Sequence, residues 1–168
     1  MNIRIEGEKI ILRSVDSSDI GTLLLWENSS VEPLYGVYEE QFTREDVVQF
    51  IENQQNYSLA ENEQLRLMIC SHEGKRLGTI DLTEYDGKKA SVSILIFDLD
   101  NRHKGFATEA LRRVADYAKS LGLCTLHATI LPENRASIAL HQSGILAPIR
   151  QQVDAYALTA STYPLAPP

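Results

Sequence analysis

Arg102, His103 and Lys104 crowd around Gly105 in the stretch NRHKGFATEAL, residues 101–111, although the chain carries a formal net charge of −7. The apolar run SVSILIF precedes them, and ATEALRRVADYAKSLG, with helical spacing, follows. The first N–H groups of a helix have no intrahelical partner, and a loop that opens a helix aims several of them at one point. Such a point suits an anion. Gly105 and Ala107 keep side chains out of the way of phosphate oxygens, and the helix dipole adds about 0.3–1 kcal/mol. Charge-assisted hydrogen bonds, roughly 1.5–3 kcal/mol each, contribute more. Arg102 and Lys104 supply outer charge for a pyrophosphate or a terminal phosphate. The string has neither the Gly-x-Gly-x-x-Gly of a dinucleotide fingerprint nor the Gly-Lys-Ser/Thr of a nucleotide P-loop. The same residues also fit a helix start with a glycine placed for packing and two solvated cations.

The elements that must position this loop are legible from period and punctuation. KIILRSV (9–15) reads as a strand, and DSSDIGTLLLWEN as a helix that Asp16 can cap, with Ile20, Leu23 and Leu24 as its apolar stripe. Thr43 and Asp46 form a capping-box-like start for a second helix, with Val47, Phe50 and Ile51 on one face. The intervening loop, from Pro33 to Gln41, carries Tyr35, Gly36 and Tyr38, which fit a mobile loop with aromatic contact groups as well as tyrosines packed on their own domain. Strands are expected at 64–73, 76–86 and 89–98, joined by tight turns at Gly74 and Gly87. Positions 107, 110, 111, 114, 115, 118 and 121 follow a 3.6 period up to Gly122. CTLHATIL is a further strand, RASIALHQS after Asn134 a short helix, and the tail one or two more strands. Antiparallel hairpins followed by a strand–helix–strand crossover predict an α/β (α+β) fold, a mixed central sheet with helices on both faces.

Composition narrows the function. A chain of 168 residues with 43% hydrophobic content predicts a single domain over 1–168. The acidic balance argues against nucleic acid or a membrane surface as partner. Cys70 and Cys124 lie far apart in apolar runs, as expected of buried free thiols in a reducing compartment rather than of a bridge or metal site. With no signal-like or membrane-spanning segment at its start, the protein is expected to be cytoplasmic, with no metal.

The RHKGFA segment resembles the acetyl-CoA signature of the GNAT superfamily of N-acetyltransferases: Gln or Arg, two residues, Gly, one residue, then Gly or Ala, at Arg102, Gly105 and Ala107. NRASIALHQSGI is similar to the family's second segment, and the element order matches over residues 9 to about 145. The branch resembled contains ribosomal-protein N-terminal and spermidine acetyltransferases. The resemblance implies a GNAT-like sheet whose parallel pair splays to form an acetyl-CoA groove. Backbone groups of Leu95, Ile96 and Phe97 would pair with the pantetheine arm, as an added strand pairs with a sheet edge. Arg102, His103, Lys104, Gly105, Phe106 and Ala107 would hold the pyrophosphate, and Asn134 and Ser137 would face the cosubstrate from the other wall, although both also fit helix capping.

The activity implied is N-acetyl transfer from acetyl-CoA to a small-molecule or peptide primary amine, a polyamine or a protein N-terminus, by direct attack and in a monomer or homodimer. The alternative is a catalytically impaired CoA-binding or regulatory module. Three departures from the family pattern mark the chain. His141 stands where relatives carry a tyrosine that protonates the leaving thiolate; with an ordinary pKa near 6.5, histidine could do so too. HQSGI is one residue short, with Ile145 in place of phenylalanine. Val92 and Ser93 occupy the strand where many relatives place a glutamate, which leaves Asp81, then Glu84 or Glu27, as general-base candidates.

Overall fold

Period-two burial organises the molecule. In the strand Arg76–Thr83, Ile80 and Leu82 pair with Leu67 and Leu65 of the strand Leu65–Cys70, while Thr79 and Asp81 pair with Met68 and Arg66. The first set faces one helical layer and the second set the other. The computed structural model describes residues 2–29, 41–130, 134–142, 150–154 and 158–164.

In chain order the strands are β1 (Arg4–Glu6), β2 (Ile11–Ser14), β3 (Leu65–Cys70), β4 (Arg76–Thr83), β5 (Lys89–Ile96), β6 (Thr125–Ile130), β7 (Arg150–Asp154) and β8 (Leu158–Pro164). The helices are α1 (Ile20–Glu27), α2 (Arg44–Asn56), α3 (Leu59–Asn62), α4 (Phe106–Ser120) and α5 (Arg135–Gln142). One sheet contains all the described strands, in the order β1-β2-β3-β4-β5-β6-β8-β7. Neighbours are antiparallel except β5 and β6, joined by the α4 crossover.

The stripe Ala110, Leu111, Val114, Ala115 and Ala118 of α4 packs on the face that carries Leu67, Ile80 and Leu126. Ile138 and Leu140 of α5 join it there. On the other face α1 and α2 place Leu23, Val47 and Ile51 against Met68 and Cys70. Burying each such leucine or isoleucine contributes about 1.5–3 kcal/mol. The capping residues act as their types dictate: Thr43 accepts from the Asp46 N–H in a capping box, and Gly122, at φ +86, closes α4. A polar clamp ties this layer to the sheet. Asp19, fully buried, receives Arg13 through paired 2.7 Å bonds and Arg76 Nε at 2.6 Å. Burial opposes its charge, but the two guanidiniums prevail and hold the carboxyl below its ordinary range.

The feature that matters for function lies between β5 and β6. Their parallel ladder consists of Lys89↔Thr125, Ala90↔Leu126 and Ser91↔His127 and goes no further. On its other edge β5 stays paired with β4 up to Gly78↔Ile96. Beyond Ser91 the two strands therefore part, and β5 offers an open edge.

Sequence reasoning missed β1 and the single-turn α3, both too short to show a period. The tail, expected as one or two strands without a clear turn between them, forms β7 and β8. Cys70 is buried, and burial pushes its thiol pKa up, but Cys124 is exposed, contrary to expectation, because it follows the turn at Gly122 before β6 begins. Most of the Pro33–Gln41 loop, and Ile145, lie outside the described residues. No helix among the described residues is long and apolar enough to cross a membrane.

Candidate active site

Gly105 takes φ +84 as the residue before α4, a conformation that needs glycine. It leaves the N–H groups of Phe106, Ala107 and Thr108 at the head of the helix, where intrahelical partners are lacking. The loop is braced from behind. Glu109, in the first turn of α4, accepts from the backbone N–H groups of Glu8 and, at 2.9 Å, Lys9, and Lys9 Nζ donates to the Lys104 carbonyl at 3.2 Å. Gly7 makes this approach possible, since a Cβ there would run into the Glu109 carboxylate and come within 2.8 Å of the Ile10 carbonyl. His103, at φ +60, completes the sharp turn.

A groove of about 620 Å³ opens above this loop. One wall is Ile94–Ile96, the floor runs from Asn101–His103 to Gly105–Thr108, and the other wall is Asn134–Ser137 with Ala139 and Leu140. The structure thus brings together Leu95, Ile96, Arg102, His103, Gly105, Phe106, Ala107, Asn134 and Ser137. Lys104 stands outside the lining, its Nζ donating to Asn101 Oδ1 at 3.5 Å. Arg135, Asn101 and Thr108 belong to the groove and were not anticipated. Arg135 had a signal: a cation in the first turn of a helix opposes the dipole, which makes sense where an anion is to be received.

The open edge of β5 corrects one expectation. Phe97 donates its N–H to the Leu77 carbonyl at 3.0 Å, so it turns its main chain to β4. Alternation gives Leu95, opposite Thr79, the same orientation. Of the three residues expected to pair with a ligand's amides, only Ile96 presents its main chain to the groove, and Ile94 shares that orientation. Arg102 is anchored to this edge, its Nε donating to the Ile96 carbonyl at 3.1 Å.

On the opposite wall Asn134 caps α5: its Oδ1 accepts from the Ser137 N–H at 3.0 Å. What Asn134 can offer a ligand is its Nδ2 donor. His141 is buried and is not part of the lining described. Its Nδ1 lies 2.8 Å from the Ser137 carbonyl, which fixes the proton on Nδ1. Burial pushes its pKa below the ordinary value against the opposing pull of that carbonyl. A neutral ring in this tautomer has a lone pair on Nε2, so a role as proton donor to a thiolate does not follow from the geometry.

The α1/α2 face of the sheet is held by side chains. Asp81 is 6% exposed, and its Oδ1 accepts from Arg66 Nε at 2.6 Å; Arg66 Nη1 also bonds Glu27. Burial raises the Asp81 pKa, with Arg66 opposing. For Arg66 burial works against charge, but Asp81 and Glu27 prevail and raise its pKa. The guanidinium lies 5.1 Å from the Phe50 ring centroid. Nearby, Trp26 of α1 stacks on Phe97 at 4.9 Å and 19°. Glu84, after β4, has Oε2 3.1 Å from His127 Nε2.

A splayed parallel pair beside a glycine-opened helix leaves a groove suited to a phosphate-bearing ligand laid along a strand edge, and comparison with known proteins gives the family. A family model described as an acetyltransferase (GNAT) domain matches residues 9–143. The chain belongs to the GNAT acetyltransferase family, whose members use acetyl-CoA. The fold is similar to that of a spermidine N-acetyltransferase from Vibrio cholerae solved with CoA and spermine (TM-score 0.74, 16% identity, 95% of this chain and 97% of that one). It is similar also to a ribosomal-protein-S5-alanine acetyltransferase from Vibrio fischeri (TM-score 0.75, 17% identity, 97% of both chains). An uncharacterized protein of Methanocaldococcus jannaschii is 25% identical over 142 residues, 82% of this chain. The chain spans 28% of that relative's length.

Proposed function

We propose that the chain transfers the acetyl group of acetyl-CoA to a primary amine, a polyamine or a protein N-terminal amine, by direct attack of the amine on the thioester. The parting of β5 from β6 beyond Ser91 carries this reading, because it supplies a main-chain edge that leads to a cationic, glycine-opened helix start. In this reading the N–H groups from Gly105 to Thr108, with Arg102, His103 and Arg135, hold phosphates. Ile96 and Ile94 receive the pantetheine amides, and Asn134 and Ser137 close the other wall.

The acceptor approaches from the α1/α2 face. There Asp81 and Glu27 meet one guanidinium, a surplus of one negative charge that favours an ammonium-bearing substrate. Asp81 is engaged by Arg66, so its role is to hold that cation in place while the partly exposed Glu27 receives the amine.

Calorimetry with acetyl-CoA combined with a thiol-release assay over polyamines and N-terminal peptides tests the proposal. Binding and turnover are expected together, and ligand at 100 times Kd should add about 2.7 kcal/mol to stability. Binding without turnover of any amine would instead describe a CoA-binding module, and no binding would dismiss both.

A further inference from the structure

Ser91↔His127 is the last rung of the parallel ladder, so His127 sits at the vertex from which β5 and β6 part. Its neighbours Leu126 and Ala128 are buried in the α4-side core, and alternation turns His127 to the opposite face. It shares a row across the sheet with Thr83 and Ser91, next to the row of Asp81 and Ser93. The ring is anchored: Nε2 lies 3.1 Å from Glu84 Oε2, which assigns the Nε2 proton to that bond and leaves a lone pair on Nδ1. The His127 side chain is 29% exposed, enough for a small substrate to reach it. Glu84 takes φ +53, uncommon for a residue other than glycine. Left-handed conformations of this sort gather where a side chain must be aimed.

We propose that His127 is the general base for acetyl transfer and Glu84 its positioning residue, an inference that rests on the acetyl-transfer reading above. The amine lone pair forms the N–C bond as the carbonyl π pair moves to oxygen. His127 Nδ1 takes the proton that the nitrogen must lose, and the oxyanion pair then re-forms the carbonyl while the C–S pair leaves with sulfur. The imidazolium returns its proton to solvent, from which the thiolate takes one. Charged groups near the ring come from several elements. Among the described residues they include Glu84 after β4, Lys89 on the same face of β5, and Asp86 in the turn between those strands. The Lys88 and Lys89 N–H groups hold the Asp86 carboxyl below its ordinary range, and His127 lowers it further.

Steady-state kinetics over pH and calorimetry with CoA, on the unsubstituted protein, His127→Gln and Glu84→Gln, test the assignment. His127→Gln should lose about 100-fold or more in kcat. Its CoA affinity should be unchanged, and the acid limb of kcat should disappear. Glu84→Gln should show a smaller loss, in kcat rather than KM. A His127→Gln protein that turns over normally with its acid limb intact overturns the role of His127. Should that variant lose CoA affinity, full kcat in Glu84→Gln overturns the pair. Failure of the unsubstituted protein to turn over any amine removes the acetyl-transfer reading, and this inference with it.

Discussion

The two faces of the sheet are built on different principles. On the α4 face the groove is framed by main-chain groups, the donors at the head of α4 and the β5 edge, with a glycine at the helix start that sets their conformation. On the α1/α2 face the same strands carry a buried ion cluster, Arg66 between Asp81 and Glu27, and a more exposed pair, His127 beside Glu84. The cosubstrate side thus depends on conformation, which many side-chain sets satisfy. The α1/α2 face, where the proposal above brings in the acceptor, depends on particular side chains.

Stability should separate the two faces most sharply. Arg66→Ala leaves Asp81 buried without its counter-charge, and chemical unfolding should show a loss of about 3–5 kcal/mol. Replacing Glu27, Arg66 and Asp81 together by apolar residues of similar volume should recover most of that loss. A loss below about 1 kcal/mol for Arg66→Ala would place the cluster with solvated surface pairs.

Next in size is the acid dependence of the Asp19 clamp. The native carboxyl sits below the ordinary value of 3.8, so near that value the unfolded chain binds more protons than the folded one. The stabilisation is present above the unfolded pKa and is lost as pH falls through the native one. The unfolding midpoint in urea should drop as pH falls through the native pKa, and Asp19→Asn should flatten that limb.

The smallest expected effect is on the other face. Gly105→Val forces a β-branched residue to φ +84, against a conformational cost of about 1–2 kcal/mol, and brings its Cβ near Lys9 Nζ. CoA affinity measured by calorimetry should fall about tenfold or more, with stability lowered by no more than that strain, about 1–2 kcal/mol. If affinity survives while stability collapses, the loop is scaffold rather than receptor, and the contrast between the faces fails.

The same division explains what could be read from the sequence. A loop that works through glycine and a helix start leaves a local spacing, RHKGFA, and α4 and the β3–β5 meander show their periods without help from the rest of the chain. The Glu27–Arg66–Asp81 cluster joins three elements distant in sequence, and only the register of β3 on β4 puts Arg66 opposite Asp81. Asp81 could be chosen for lying centrally on a strand, but its partner could not. His127 and Glu84 are likewise neighbours only through the β4–β5–β6 row. Which main-chain groups of β5 face the groove depends on the Phe97–Leu77 bond, a matter of pairing phase that an apolar run does not reveal.

The short parallel ladder has an energetic corollary. Because β5 is fastened along β4 on one side and joined to β6 only at its root, nothing has to be unzipped before a ligand amide docks along it. A ligand amide docking at Ile94 and Ile96 would forfeit no inter-strand bond of the resting protein, and at the Ile96 carbonyl it would share that oxygen with Arg102 Nε.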